Sequence, residues 1–93
     1  MVYNIRPLAS FEKAFAKLPR DDQQRIAEKI EHLAAHPEII GSPMTHLPSD
    51  LRGLHKVRAG DWRIFFWVDS RKEDIALYAI DRRDKAYKNL LRR

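Results

Sequence analysis

The run His55-Lys56-Val57-Arg58-Ala59-Gly60-Asp61-Trp62-Arg63-Ile64-Phe65-Phe66-Trp67 leaves little choice of local structure. Two strand-like segments flank Gly60-Asp61, and a Gly-first dipeptide suits the two-residue loop of a tight hairpin. Such a loop fixes the register. Counting outward, Ala59 faces Trp62, Arg58 faces Arg63, Val57 faces Ile64 and Lys56 faces Phe65. The pair Arg58–Arg63 works against this hairpin, because like charges directly opposed on one sheet face are destabilising. A bound anion would relieve the repulsion, and phosphate is the best match for two guanidinium forks.

Alternation sorts the hairpin into two faces. Val57, Trp62, Ile64, Phe66 and Val68, with His55 among them, form a nearly apolar face that should meet helices. Leu54, Lys56, Arg58, Arg63, Phe65 and Trp67 form the other, basic near the turn and aromatic further along. Phe65 and Trp67 either offer planes on which bases stack, beside cations that hold the backbone, or pack against a loop or the last helix.

The rest of the chain supplies the partners for this hairpin. Residues 2–6 alternate as a first strand closed by Pro7. Leu8, Phe11, Phe15 and Leu18 recur at helical spacing, with Ser10 near the start and Pro19 at the end. A second helix opens on Asp21 and Asp22, where the helix dipole favours carboxylates, carries Ile26, Ile30, Leu33 and Ala34, and stops before Pro37. Pro37, Gly41, Pro43 and Pro48 mark a loop over residues 37–50. Strands are expected at residues 54–59, 62–69 and 74–81, and a short amphipathic helix or tail from Asp84, with Tyr87, Leu90 and Leu91. The order β-α-α-β-β-β-α predicts one α+β domain over residues 1–93. A small antiparallel sheet of about four strands would carry the N-terminal helical hairpin on one face.

Charge is uneven along the chain. Residues 1–50 hold 6 Lys/Arg against 7 Asp/Glu, and residues 51–93 hold 12 against 6, so the whole net charge of +5 arises in the second half. That asymmetry favours a polyanionic partner, nucleic acid or an acidic protein segment. The absence of cysteine excludes disulfides and thiolate metal sites and fits a reducing, intracellular setting. Neither a signal-peptide pattern nor a membrane-length apolar run is visible. His32 and His36 lie one helical turn apart, but Leu33 stands where a zinc-protease helix needs Glu, and no third ligand is evident. No metal and no cofactor are expected.

At Leu51-Arg52-Gly53-Leu54, Arg58-Ala59-Gly60-Asp61-Trp62-Arg63 and Ile80-Asp81-Arg82-Arg83-Asp84-Lys85-Ala86-Tyr87, the chain resembles the RelE/ParE superfamily of bacterial and archaeal toxins over essentially its full length. The resemblance implies the toxin of a type II toxin–antitoxin system, a cytoplasmic mRNA interferase that binds the ribosome and cuts mRNA in the A site without metal. The ribose 2′-hydroxyl attacks the adjacent phosphate, leaving a 2′,3′-cyclic phosphate and a 5′-hydroxyl. By position, Lys56 matches a strand lysine of the family, Arg58 and Arg63 strand arginines, Arg83 the arginine after the last strand, and Tyr87 the nearby tyrosine. Leu54 stands where some RelE members carry a second lysine. The resemblance also implies a cognate antitoxin as partner. It leaves two alternatives: a ParE-type inhibitor of DNA gyrase, or a degenerate, non-toxic antitoxin-binding module.

The chemistry imposes its own demands. Cleavage needs a base for the 2′-hydroxyl, stabilisation of charge at phosphorus and an acid for the leaving oxygen. Arginine cannot act as base at any accessible pH. Lysine can where neighbouring cations favour its neutral form, and Lys56 lies two residues from Arg58 on one face. The catalytic set is therefore Lys56 as candidate base, Arg63 and Arg83 as phosphate clamps, and Tyr87 for proton transfer or stacking. Arg58, Arg82, Phe65, Trp67 and Lys85 are expected to contact RNA.

Overall fold

The computed structural model describes residues 2–82. The helix or tail expected from Asp84 lies outside the described residues. Within them the elements run β1 (Asn4–Pro7), α1 (Ala9–Ala16), α2 (Arg20–Ala35), β2 (His55–Ala59), β3 (Trp62–Asp69) and β4 (Asp74–Arg82), with single 3-10 turns at Pro37–Ile39 and Ser49–Leu51. The class is α+β, as the order of patterns predicts.

The four strands form one sheet in the order β1-β4-β3-β2. The β2–β3 hairpin has the register counted from its turn, including Arg58 opposite Arg63. Gly60 takes φ +63°, the left-handed value needed at the first central position of a II′-type loop. β3 and β4 are antiparallel, but β1 lies parallel to β4, pairing Ile5 with Ile75, so the sheet is mixed rather than wholly antiparallel. Parallel neighbours need a long crossover, and the helical hairpin and the β2–β3 hairpin both intervene between β1 and β4.

The two helices cover one face. Phe11 of α1 and Ile26, Ile30, Leu33 and Ala34 of α2 pack on Ala59, Ile64, Phe66, Ile75, Leu77 and Ile80. Gln23 ties the helices together by donating to the carbonyl of Phe15 at 2.8 Å. Ser10 does not cap α1. It lies inside the helix and donates to the carbonyl of Tyr78 at 2.6 Å, joining α1 to β4.

A second cluster occupies the opposite face. The loop from α2 to β2 folds over the sheet, and Leu51 and Leu54, with Met44 and Leu47 beside them, close on Phe65 and Ala79 and on the half-buried Trp67 and Tyr78. A bulge in β4 makes room for this layer. Phe65 pairs with Ala79 and Phe66 with Leu77, so Tyr78 is the extra residue. The bulge changes phase along β4: Ile75 and Leu77 face the helices before it, and Ile80 does so after it.

Candidate nucleic-acid interface

Three strands bring the basic groups together. Across the sheet, Arg58 of β2, Arg63 of β3 and Asp81 of β4 stand in one row. The next row in the direction away from the turn is Lys56, Phe65 and Ala79. Neighbouring strands lie about 4.8 Å apart, so two guanidinium groups on adjacent strands can share one phosphate. Arg58 and Lys56 are exposed, whereas Arg63 is half-buried. Among the described residues, neither arginine forms an ion pair with a carboxylate.

Arg63 carries the most informative atom of the site. Its Nη1 is buried and has no hydrogen-bond partner among the described residues. A buried, unsatisfied donor costs about 1–3 kcal/mol, more on a charged group. The nearest carboxylate by register is that of Asp81, whose Oδ1 accepts from its neighbour, the Arg82 backbone N–H, at 2.9 Å. Arg63 therefore presents a cationic donor with a vacancy for an acceptor, beside a second cation. That combination suits an anion.

Other expected RNA contacts fall elsewhere. Phe65 is 1% exposed beneath the loop, so it belongs to the core and cannot stack on a base. Trp67 is half-buried against Tyr78, at 5.0 Å between centroids, and its Nε1 donates to the Arg52 carbonyl at 3.0 Å. Its indole serves chiefly to hold the loop. Arg82 shares a row with Ala59 and Trp62, one residue out of phase with Arg63, and its Cζ sits 5.3 Å from the Trp62 ring centroid. Alternation thus places Arg82 on the helix side, away from the arginine pair. Arg83, Lys85 and Tyr87 lie outside the described residues.

The histidines do not join the site. His55 stacks on Phe66 on the helix side, at 5.4 Å and 14°, and burial lowers its pKa below the ordinary 6.5, partly offset by a hydrogen bond to the Gly41 backbone. His32 and His36 lie side by side with centroids 4.9 Å apart, and His36 Nδ1 is 3.5 Å from Glu38. Among the described residues, no group of three His, Cys, Asp or Glu is placed to hold a metal ion, and no helix is long and apolar enough to cross a membrane.

Asp81 is the member of the row that the sequence reading missed. Strict alternation from Ile75 would send it toward the helices; the bulge at Tyr78 turns it to the arginines. The only sequence signal was the change of phase between Leu77 and Ile80.

No family model matches the chain. Toxin RelE of Mycobacterium tuberculosis is 33% identical over an alignment of 75 residues that covers 72% of this chain and 75% of that one. Among solved structures, the RelBE2 toxin–antitoxin complex of M. tuberculosis superposes with a TM-score of 0.75 at 21% identity, over 89% of this chain and 93% of the other. A mutant of E. coli toxin RelE in the free state gives 0.73 at 16% identity, over 99% and 97%. The archaeal RelE–RelB complex of Pyrococcus horikoshii gives 0.68 at 22% identity, over 89% and 97%. These structures share the α+β fold described above.

Proposed function

The chain belongs to the RelE toxin family, and from that premise we propose that it is a ribosome-dependent endoribonuclease that cuts mRNA in the A site. The observation that carries this reading is the Arg58–Arg63 pair with its unsatisfied buried Nη1. A protein that only bound another protein would have no need to keep two guanidinium groups opposed and one of them short of an acceptor. A nuclease does, because negative charge grows on the phosphate oxygens as the 2′-oxygen attacks. Preorganised donors stabilise that charge at little cost in reorganisation.

In this mechanism Arg63 and Arg58 grip the scissile phosphate from adjacent strands. Lys56, on the same face, handles a proton. Arg83 adds a second clamp, and Tyr87 stacks on a base or transfers a proton. The fixed cations supply the positive charge, so the reaction proceeds without a metal. The products are a 2′,3′-cyclic phosphate and a 5′-hydroxyl. The protein works where ribosomes and mRNA are, in the cytoplasm. Because relatives are found in RelBE complexes, we infer a cognate antitoxin whose segment covers or displaces elements near Arg63, Arg83 and Tyr87.

The test is an in vitro translation reaction with purified toxin and primer extension along the mRNA. Cuts within codons, lost in Arg63→Ala and in Arg83→Ala, are the expected result. Intact mRNA, or undiminished cleavage by both variants, overturns the reading. In cells, induction followed by pulse labelling should stop protein synthesis first; early loss of DNA synthesis with an SOS response would point to gyrase instead.

A further inference from the structure

The sheet face that carries the arginine pair holds a slot at its other end. Arg6 of β1, Ala76 of β4 and Trp67 of β3 stand in one row across three strands. The next row away from the hairpin turn is Asn4, Asp74 and Asp69. The Phe65–Ala79 row, roofed by Leu51 and Leu54, separates this end from Arg58 and Arg63. An alanine between an arginine and a tryptophan leaves a gap above the sheet. The flanking strands lie two strand spacings apart, roughly 10 Å, and side chains stand nearly perpendicular to the sheet. A flat ring stacked about 3.5–4.0 Å from each wall fits between them. A cavity of about 510 Å³ lies there, with Arg71 among its lining residues, a volume within the range of about 300–1,000 Å³ for small-molecule sites.

Both walls are fixed. Trp67 Nε1 donates to the Arg52 carbonyl at 3.0 Å. Arg6 Nε donates to Asp74 Oδ2 at 3.0 Å, and a guanidinium held by one edge keeps its flat face for stacking. Asp69 and Asp74 oppose each other across β3 and β4, a second like-charge pair of the kind that destabilises a sheet. Each is answered in part. Asp74 has Arg6, and Asp69 Oδ1 accepts from the backbone N–H groups of Arg71 and Lys72 at 3.1 and 3.2 Å. A carboxylate has about four lone-pair sites, so acceptor capacity remains beside the slot.

The geometry points to a nucleobase site here, with guanine as the base. The ring lies between Arg6 and Trp67 above Ala76, where indole and guanidinium both stack on bases. Guanine carries N1–H and N2–H donors side by side on one edge, and these meet the carboxylates of Asp69 and Asp74. Arg71 suits the phosphate of the same nucleotide. An aromatic side chain of a peptide would fill the slot but bring at most one polar donor to the carboxylate pair. The site goes beyond the nuclease reading, because a base binds here whether or not the arginine pair cuts RNA.

The test is a titration of the isotope-labelled protein followed by its N–H NMR signals. The chain has two tryptophans, so Trp62→Phe leaves the Trp67 indole as the single indole signal. GMP should shift that signal and half-saturate at or below about 1 mM. AMP, UMP and IMP, the last lacking only the 2-amino group of GMP, should bind at least about tenfold more weakly, the cost of a lost hydrogen bond to a charged group. Asp69→Asn keeps an Oδ1 acceptor for the turn and should weaken GMP by the same factor. Ala76→Leu fills the floor and should abolish the shift, with the remaining signals reporting that the protein is folded. A short RNA with one guanosine among adenosines that binds at least about tenfold tighter than GMP assigns the base to an RNA strand, because further phosphates then contribute. A smaller gain assigns it to a free nucleotide, and either result upholds the slot. The guanine site is refuted by no shift with GMP up to about 10 mM, by equal shifts from all four nucleotides, or by tighter binding of N-acetyltryptophanamide than of GMP. Folded Ala76→Leu or Asp69→Asn that binds GMP as wild type does refutes it as well.

Discussion

Replacing Arg63 by methionine should make the protein more stable and inactive together. Two cross-strand terms act on Arg63: repulsion from Arg58 and attraction to Asp81. Each is about 0.2–1 kcal/mol and they oppose one another, so they largely cancel. What remains is the buried Nη1 without an acceptor, worth about 1–3 kcal/mol of destabilisation that Arg63→Met removes while keeping an unbranched stem in place. For a domain of this size each kcal/mol moves Tm by about 4–8 °C, so a rise on the order of 10 °C is expected in a thermal melt followed by circular dichroism. Cleavage should fall at least about 100-fold, the usual cost of losing one preorganised donor to a developing oxyanion. A lower Tm would mean that Arg63 is a structural cation satisfied inside the fold. Retained cleavage would mean that the phosphate is gripped elsewhere. Either result refutes the argument from the arginine pair.

Phe65→Ala empties the centre of the second cluster and should cost about 3–5 kcal/mol in urea unfolding. Phe65→Leu, by contrast, should fold and cut mRNA with an unchanged KM, because the ring touches loop side chains instead of RNA. His55 has a folded pKa below its ordinary 6.5, so the unfolded chain binds its proton first. The stability due to neutral His55 is complete above about pH 6.5 and declines as the pH falls through the folded value. Urea midpoints measured from pH 7.5 to 5 should show this decline, and His55→Gln should flatten that part of the curve. Gly60→Ala places a Cβ 3.0 Å from Arg25 Cδ at a φ of +63°, and the left-handed strain alone should cost about 1–2 kcal/mol. A melt of Gly60→Ala that matches wild type would show that the turn tolerates another conformation.

The β2–β3 hairpin was legible because a two-residue loop fixes the register and alternation does the rest: Arg58 opposite Arg63 follows from counting. The helical hairpin was legible from its apolar spacing and from Pro19. Phe65 was ambiguous for a physical reason. Its face depends on alternation, but its burial depends on Met44, Leu47, Leu51 and Leu54, most of them on a proline-rich loop whose side chains follow no period. Arg82 was misplaced because the phase of β4 was never tied to that of β3, and a bulge intervenes. Counted from Ile75, strict alternation puts Asp81 with the helices and Arg82 with the arginines. The extra residue Tyr78 exchanges the two, moving Arg82 over Trp62 and Asp81 beside Arg63. One inserted residue therefore sets whether the third charge of the row is positive or negative. A positive charge would have left the row wholly cationic, whereas the negative one sets a carboxylate across from Arg63. The chemistry available to this surface is decided by the pairing of β4 with β3, and no property of β4 taken alone contains it.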